Sequence, residues 1–144
     1  MILADVNVLV YAFDSDCAEH SRYRPWLSDV IAGQEEFALA DPVLAGFLRV
    51  VTNPKIMPRP APTEIAMTFV EALIEVEVSR WLPANRAVWA TLGSWIRDDP
   101  GIRGNVVPDA HLAALAVTNR ARLATADRGF ARFPGLRWFD PGNH

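Results

Sequence analysis

The chain has 144 residues, of which 51% are hydrophobic and 22% charged. This length and composition predict a single domain, residues 1–144, with a sizeable core, and they exclude a disordered protein. No apolar run approaches the roughly 20 residues of a membrane span, and Asp5 interrupts the first apolar stretch, which does not fit a signal peptide. Cys17 is the sole cysteine. It excludes an internal disulfide and a cysteine-based zinc site and favours a cytoplasmic location.

Charge is distributed unevenly along the chain. The formal net charge is -3, which does not by itself indicate a nucleic-acid binder. Residues 101–144 carry six arginines against three aspartates, a balance of +3, so residues 1–100 carry -6. A basic segment beside an acidic site would attract a polyphosphate partner. For each arginine taken alone, the alternative of a solvated surface residue stays open.

The hydrophobic pattern predicts strands and helices in alternation. In chain order it predicts strand 2–4, helix 6–13, helix 18–32, strand 36–40, helix 42–52, helix 64–75, strand 76–82, helix 84–97, helix 108–119, strand 122–125, a short turn or helix at 128–133, and strand 136–139. Asp41 and Thr63 are predicted N-caps, and Gly33 a helix stop. Short apolar strands between helices indicate an α/β fold, a parallel sheet covered on both faces.

Three aspartates occupy comparable positions in this pattern. Asp5 and Asp127 directly follow predicted strands, and Asp109 lies in the first turn of a predicted helix. In parallel sheets, sites form outside the carboxyl ends of the strands, so the three side chains are predicted to open onto one edge. Because clustered carboxylates repel one another, a divalent cation is the simplest way to make the cluster stable. Taken alone, Asp5 and Asp109 are better explained as a turn or N-cap residue and as a first-turn carboxylate at the positive helix end, and Asp127 could cap the turn before Gly129.

Other features of the sequence carry weaker functional signals. His111 is a possible acid, base or ligand, although a lone histidine near a helix start more often bonds a backbone carbonyl. The five tryptophans are interpreted as core or interface residues. The chain has no Gly-x-Ser-x-Gly elbow, Walker-type loop or dinucleotide glycine pattern.

The order of three segments resembles the PIN-domain ribonucleases, most closely the VapC-type toxins of bacterial toxin–antitoxin pairs. The segments are 3–9 around Asp5, 109–116 starting at Asp109, and 123–130 around Asp127, and the last two lie 18 residues apart, from Asp109 to Asp127. The resemblance implies a PIN-like three-layer α/β/α sandwich with a central parallel sheet. It also implies Mg²⁺- or Mn²⁺-dependent endonucleolytic cleavage of RNA, a homodimer and a cognate antitoxin.

The resemblance assigns roles residue by residue. Asp5, Asp109 and Asp127 would be the catalytic metal ligands, and Asn7 and Thr125 would orient ligands or water. One departure concerns Gly46, which stands where the family usually has a glutamate; Asp41 or another acid would have to substitute for it. Two other functions therefore stay open: a catalytically weak or inert protein acting through partner binding, and a metal-dependent phosphatase or nuclease with another substrate.

The resemblance also suggests where an antitoxin helix would bind. Two predicted helices carry apolar residues that would line an exposed groove between them. These residues are Tyr23, Trp26, Val30 and Ile31 on one helix and Val43, Phe47 and Val50 on the other.

Overall fold

A central parallel sheet organises the computed structural model, which describes residues 1–143. Its strands are β1 (Ile2–Ala4), β2 (Phe37–Leu39), β3 (Ser79–Trp81), β4 (Arg122–Ala124) and β5 (Trp138–Phe139). They lie in the order β3-β2-β1-β4-β5, and every neighbouring pair is parallel. Every residue of β1 and β2 is buried, as expected for strands covered on both faces.

Helices cover both faces of the sheet. They are α1 (Val6–Phe13), α2 (His20–Ala32), α3 (Asp41–Val51), α4 (Thr63–Glu75), α5 (Arg86–Asp98) and α6 (Val106–Thr118), and a short 3-10 helix follows at Arg128–Arg132. This architecture confirms the predicted three-layer α/β/α sandwich. Helix α6 buries all of 112–116 as well as Ala110, which is typical of a helix enclosed on several sides. Within residues 1–143, no helix has both the length and the hydropathy required to cross a membrane.

The predicted caps of two helices are wrong. Helix α3 begins at Asp41 itself, with Ala40 in the N-cap position and no side-chain capping bond. Helix α4 likewise begins at Thr63, with Pro62 before it. In each case the helix starts one residue earlier than a capping side chain would require. Asp41 still favours the helix because a carboxylate in the first turn interacts with the positive end of the helix dipole.

The third strand begins later than its alternating valines predicted. Val76 ends α4, and the backbone N–H of Ser79 donates to the carbonyl of Val76 at 3.0 Å, which closes a turn across the segment. The hydroxyl of Ser79 also donates to the carbonyl of Leu73 at 2.7 Å. The strand starts only after this turn, so period-two hydrophobicity identified its presence but not its first residue.

The predicted groove between the second and third helices is also wrong. Tyr23 is only 2% exposed, Val43 4% and Phe47 0%, so these side chains belong to the core. Helix α1 packs against both α2 and α3. A small apolar cavity of about 110 Å³ lies instead between α2 and α4, where Leu27, Ile31 and Phe69 contribute to its wall.

Candidate active site

Asp5 is positioned by the junction between β1 and α1. Its Oδ1 accepts the backbone N–H of Val6 at 2.8 Å, which makes Asp5 the N-cap of α1. Its Oδ2 accepts the Thr125 hydroxyl at 2.8 Å and the Asn7 amide at 3.2 Å. Burial raises the pKa of Asp5, the hydrogen bonds from Thr125, Val6 and Asn7 oppose this, and the charge of Asp127 adds to it. The carboxylate is thus oriented by several donors before any ligand arrives.

Thr125 and Asn7 connect the end of β1 with the turn after β4. Thr125 is fully buried, and its hydroxyl oxygen accepts the backbone N–H of Asp127 at 3.0 Å while donating to Asp5. The side-chain oxygen of Asn7 accepts the backbone N–H of Ala126 at 3.3 Å. The two residues therefore hold Asp5 and Asp127 in a fixed relation. Their predicted role in orienting metal ligands or water remains a prediction.

Asp109 and Asp127 approach from α6 and from the turn after β4. Asp109 lies half-buried in the first turn of α6. Burial, followed by the charges of Asp5 and then Asp127, raises the pKa of Asp109 to about 6. Asp127 is exposed, and its Oδ1 accepts the backbone N–H of Gly129 at 2.8 Å as the cap of the 3-10 helix. Asp127 therefore caps the 3-10 helix and is at the same time a member of the aspartate cluster.

The three predicted aspartates share one cavity of about 430 Å³. Asp5, Asp109 and Asp127 line it together with Asn7, and the remaining wall is largely apolar. The apolar part is formed by Val6, Val10, Tyr11, Val50, Ile56 and Met57. An apolar wall lowers the local dielectric and strengthens electrostatic interactions inside the cavity. The sequence-based expectation that the three side chains open onto one sheet edge agrees with this geometry.

The donor set fits a hydrated hard cation. Among residues 1–143, no three His, Cys, Asp or Glu side chains are arranged so that they alone could hold a metal ion. Mg²⁺ does not need such a cage, because it usually keeps several waters and is bound by one or two carboxylates together with substrate phosphate. The mutual effect of Asp5 and Asp127 on the pKa of Asp109 is the repulsion that a cation would relieve.

Gly46 adjoins this site from α3. A second cavity of about 430 Å³ is lined by Asp5, Asp109, Gly46 and Arg49, with Val6, Pro42, Ala45 and Pro108. A Cβ atom on Gly46 would lie 2.9 Å from Cγ2 of Val6, closer than real Cβ contacts. Glycine therefore permits the close approach of α3 to α1 at this point. Asp41 is exposed and lines neither cavity, so its position does not support it as a substitute acid.

Arg49 is a residue that the sequence did not single out. It lies one helical turn after Gly46, so both face the same side of α3, and within residues 1–143 it forms no ion pair. Its spacing from Gly46 was the available signal. Two of the six C-terminal arginines already have an acidic partner. Arg122 pairs with Glu35 at 3.0 Å and Arg132 with Asp99 at 2.9 Å.

His111 lies outside the acid cavities. Its ring packs against Trp89 with centroids 5.3 Å apart, and it lines neither of the cavities that contain Asp109. The structure gives no support for His111 as an acid, base or ligand.

Comparison with known proteins agrees with the fold. The PIN domain family model matches residues 2–136. A VapC ribonuclease of Mycobacterium bovis is 42% identical over 141 residues, covering 98% of this chain and 95% of the relative. Ribonuclease VapC37 of Mycobacterium tuberculosis is 35% identical over 148 residues, covering 98% and 97%.

Solved structures share the same fold at lower identity. VapBC2 from Rickettsia felis, bound to a DNA fragment from its promoter, matches with a TM-score of 0.71 at 22% identity, covering 97% of this chain and 98% of that one. VapC20 of Mycobacterium tuberculosis, described as a sarcin-ricin loop cleaving toxin, matches with a TM-score of 0.68 at 14% identity, covering 95% and 99%.

The chain belongs to the PIN-domain family. Within that family it groups with the VapC ribonucleases, to which it is similar over nearly its whole length. The resemblance inferred from the three sequence segments is thus confirmed.

Proposed function

We propose that this chain is a divalent-metal-dependent endoribonuclease that acts as the toxin of a type II toxin–antitoxin pair. The observation that carries the proposal is the convergence of Asp5, Asp109 and Asp127 in one cavity at the carboxyl edge of a parallel sheet. The relatives named as VapC ribonucleases support RNA as the substrate.

In the proposed reaction the cation and the protein side chains have different roles. When bound, Mg²⁺ or Mn²⁺ supplies an activated water and neutralises charge on the reacting phosphodiester. Asp5, Asp109 and Asp127 hold the cation, while Thr125 keeps the Asp5 carboxylate in place through its hydroxyl. Arg49 faces the neighbouring cavity, from which a guanidinium can form paired hydrogen bonds with a flanking phosphate.

A cleavage assay with matched substrates tests the proposal. The purified protein is incubated with single-stranded or looped RNA, with DNA of the same sequence and with a phosphate monoester, each with Mg²⁺, with Mn²⁺ and with a chelator. We expect cleavage of RNA alone and only with metal. Full activity in excess chelator would contradict the metal mechanism, and hydrolysis of DNA or the monoester would favour the other substrates.

Single substitutions test the three acids. Asp5→Asn, Asp109→Asn and Asp127→Asn should each remove most cleavage while leaving the circular dichroism spectrum unchanged, because each removes a charge but little volume. Asp98→Asn is the matched control, since Asp98 is exposed on α5 and lines neither acid cavity. Wild-type cleavage by one of the three variants would exclude that residue from the site.

Gly46 favours a second function, that of a catalytically inert protein acting through partner binding. The substitution of glycine for the family's usual glutamate leaves one carboxylate fewer beside Asp5 and Asp109. The same assay separates the two functions, because an inert protein would bind its partner yet leave RNA intact under every metal condition.

A protein partner completes the proposal. Two of the similar solved structures carry the name VapBC, VapBC2 from Rickettsia felis and VapBC-1 from Haemophilus influenzae. In keeping with the family resemblance, we propose an antitoxin for this chain as well as a homodimer. The small apolar cavity between α2 and α4 is where an antitoxin helix would insert one apolar side chain. Co-expression with the product of the neighbouring gene should yield a stable complex and protect RNA.

A further inference from the structure

We propose that a cavity beside β5 binds a nucleotide that flanks the cleavage site, and this inference rests on the proposed ribonuclease function. The cavity has a volume of about 530 Å³. It is lined by Arg128, Ala131, Trp138, Phe139, Asp140 and Asn143. A cation, an aromatic ring and hydrogen-bonding groups around one cavity are the features by which proteins hold a single-stranded nucleotide.

Thr125 links residues of this cavity to residues of the acid site. The backbone N–H of Thr125 donates to the carbonyl of Phe139 at 2.9 Å, and the Thr125 side chain bonds Asp5. Arg128 follows Asp127 in the chain. Because neighbouring strands lie about 4.8 Å apart, an RNA strand that leaves the acid cavity towards β5 places its next nucleotide here.

Arg128 is available for a phosphate. It is exposed and forms no ion pair within residues 1–143, whereas Arg122 and Arg132 each pair with an acid. A guanidinium presents donors in a fork that matches phosphate oxygens. The position beside Asp127 places this charge next to the reacting part of the substrate.

Trp138 is available for a base. Its side chain is half-buried, and no aromatic ring within residues 1–143 stacks on it. The neighbouring Phe139 is already engaged, with the Arg122 guanidinium 4.9 Å from its ring centroid and Trp26 against its edge. Trp138 also packs partly against the core, but of the two aromatic residues in the cavity it is the one whose ring meets no other ring or guanidinium in the described part of the chain, so its exposed part can stack on a base.

Asp140 offers a hydrogen-bond acceptor to the bound base. It accepts the Tyr23 hydroxyl and the Gly142 backbone N–H on Oδ1, and within residues 1–143 no donor bonds its Oδ2. A carboxylate oxygen accepts hydrogen bonds, so Oδ2 can accept the exocyclic amino group of a base or the ring N–H of uracil or guanine.

Fluorescence titration with short oligoribonucleotides in the presence of a chelator tests the inference without cleavage. Stacking should quench the tryptophan emission of the wild type. Trp138→Phe should lose most of that quench, and Trp138→Ala should bind about tenfold more weakly. Trp81→Phe is the matched control, because Trp81 is 51% exposed and lies on β3 at the opposite edge of the sheet. Arg128→Ala should weaken binding similarly, and the exposed Arg103→Ala should not.

The outcomes separate this inference from the proposed function. Weaker nucleotide binding by Trp138→Ala and Arg128→Ala supports the cavity even if the wild type cleaves no RNA. If the wild type cleaves RNA but both variants bind oligonucleotides as it does, or the wild type shows no Trp138-dependent quench, the inference is overturned. Weakened antitoxin binding with unchanged RNA binding would overturn it too.

Discussion

At the scale of single residues, Asp109 combines burial with charge repulsion. Burial and the charges of Asp5 and Asp127 raise its pKa to about 6 in the folded chain, against 3.8 for an ordinary aspartate. The folded state therefore holds a proton on Asp109 over a pH range in which the unfolded chain has released it. The metal-free fold is thus favoured by Asp109 below about pH 4 and loses that contribution as pH rises through about 6.

We expect this repulsion to appear in thermal unfolding. Raising the pH from 4.5 to 7.5 without metal should cost the wild type on the order of 1 kcal/mol more than Asp109→Asn, after allowance for solvent screening. That difference corresponds to roughly 3 °C in Tm. Differential scanning calorimetry of both proteins at the two pH values measures it, and Mg²⁺ at pH 7.5 should restore the wild type. Parallel pH profiles for the two proteins would contradict the coupling.

The sequence predicted the three aspartates of the site but did not predict Arg49. Asp5 and Asp127 end apolar strands and Asp109 opens a helix, so a local pattern placed each one at the same edge of the sheet. Arg49 lies in the last turn of α3, and its three-residue spacing from Gly46 is its sole local signal. Its position beside Asp5 and Asp109 depends on how α3 packs, which is a tertiary property.

At the scale of elements, the contact between α1 and α3 depends on Gly46. A Cβ there would meet Cγ2 of Val6 at 2.9 Å, and a β-branched valine has few rotamers through which to move away. Gly46→Ala should therefore destabilise the fold by about 1 kcal/mol, because crowding of about 1–3 kcal/mol outweighs the gain in helix propensity of roughly 1 kcal/mol.

A double-mutant cycle with Val6→Ala tests this contact by denaturant unfolding. Val6→Ala removes the crowding atoms, so Gly46→Ala in that background should stabilise rather than destabilise. Gly93→Ala on α5 is a control, since its Cβ would meet only ordinary contacts, at 3.6 Å to the Arg97 side chain. Additive effects of the two substitutions would show that Gly46 is not needed for the approach of the helices.

The same packing determines how a carboxylate should be restored. Gly46→Glu alone would displace α3 from α1, so a lack of activity would be ambiguous. Gly46→Glu in the Val6→Ala background should lower the Mg²⁺ concentration needed for half-maximal cleavage if the missing carboxylate limits metal binding. An unchanged metal requirement with an intact fold would show that the added side chain does not reach the cation.

Element boundaries show what hydrophobic periodicity leaves undetermined. The pattern located all five strands and the helices between them, because strands covered on both faces form short apolar runs and amphipathic helices repeat their apolar residues every three to four positions. It misplaced the starts of α3 and α4 because helices can begin without a capping side chain, as they do after Ala40 and Pro62. It misplaced the start of β3 because the bonds of Ser79 to Leu73 and Val76 close a turn there.

At the scale of the whole molecule, an acidic protein must bind a polyanion. The formal net charge is -3, so RNA affinity depends on local positive charge such as that of Arg49 beside the acid cavity. Arg49→Ala should weaken RNA binding roughly tenfold and lower the slope of log affinity against log salt by about 0.7, the value for one phosphate contact on a single strand. Arg24→Ala serves as a control, since Arg24 lies away from the acids. Equal salt slopes for Arg49→Ala and the wild type would exclude a phosphate contact at Arg49.

The exposed face of α5 carries two large apolar side chains. Trp89 is 60% exposed and Ile96 42%, and their seven-residue spacing places both on one side of α5. Large apolar side chains exposed on the same side of a helix favour a protein interface. We therefore expect two copies of the chain to associate through this face. In sedimentation velocity, the double variant Trp89→Ala/Ile96→Ala should shift a dimer towards monomer at micromolar concentration. Ile65→Ala, which removes a 56% exposed side chain from α4, should leave the dimer intact. A dimer that persists in the double variant would place the interface elsewhere, because burying these two side chains would then contribute nothing to association.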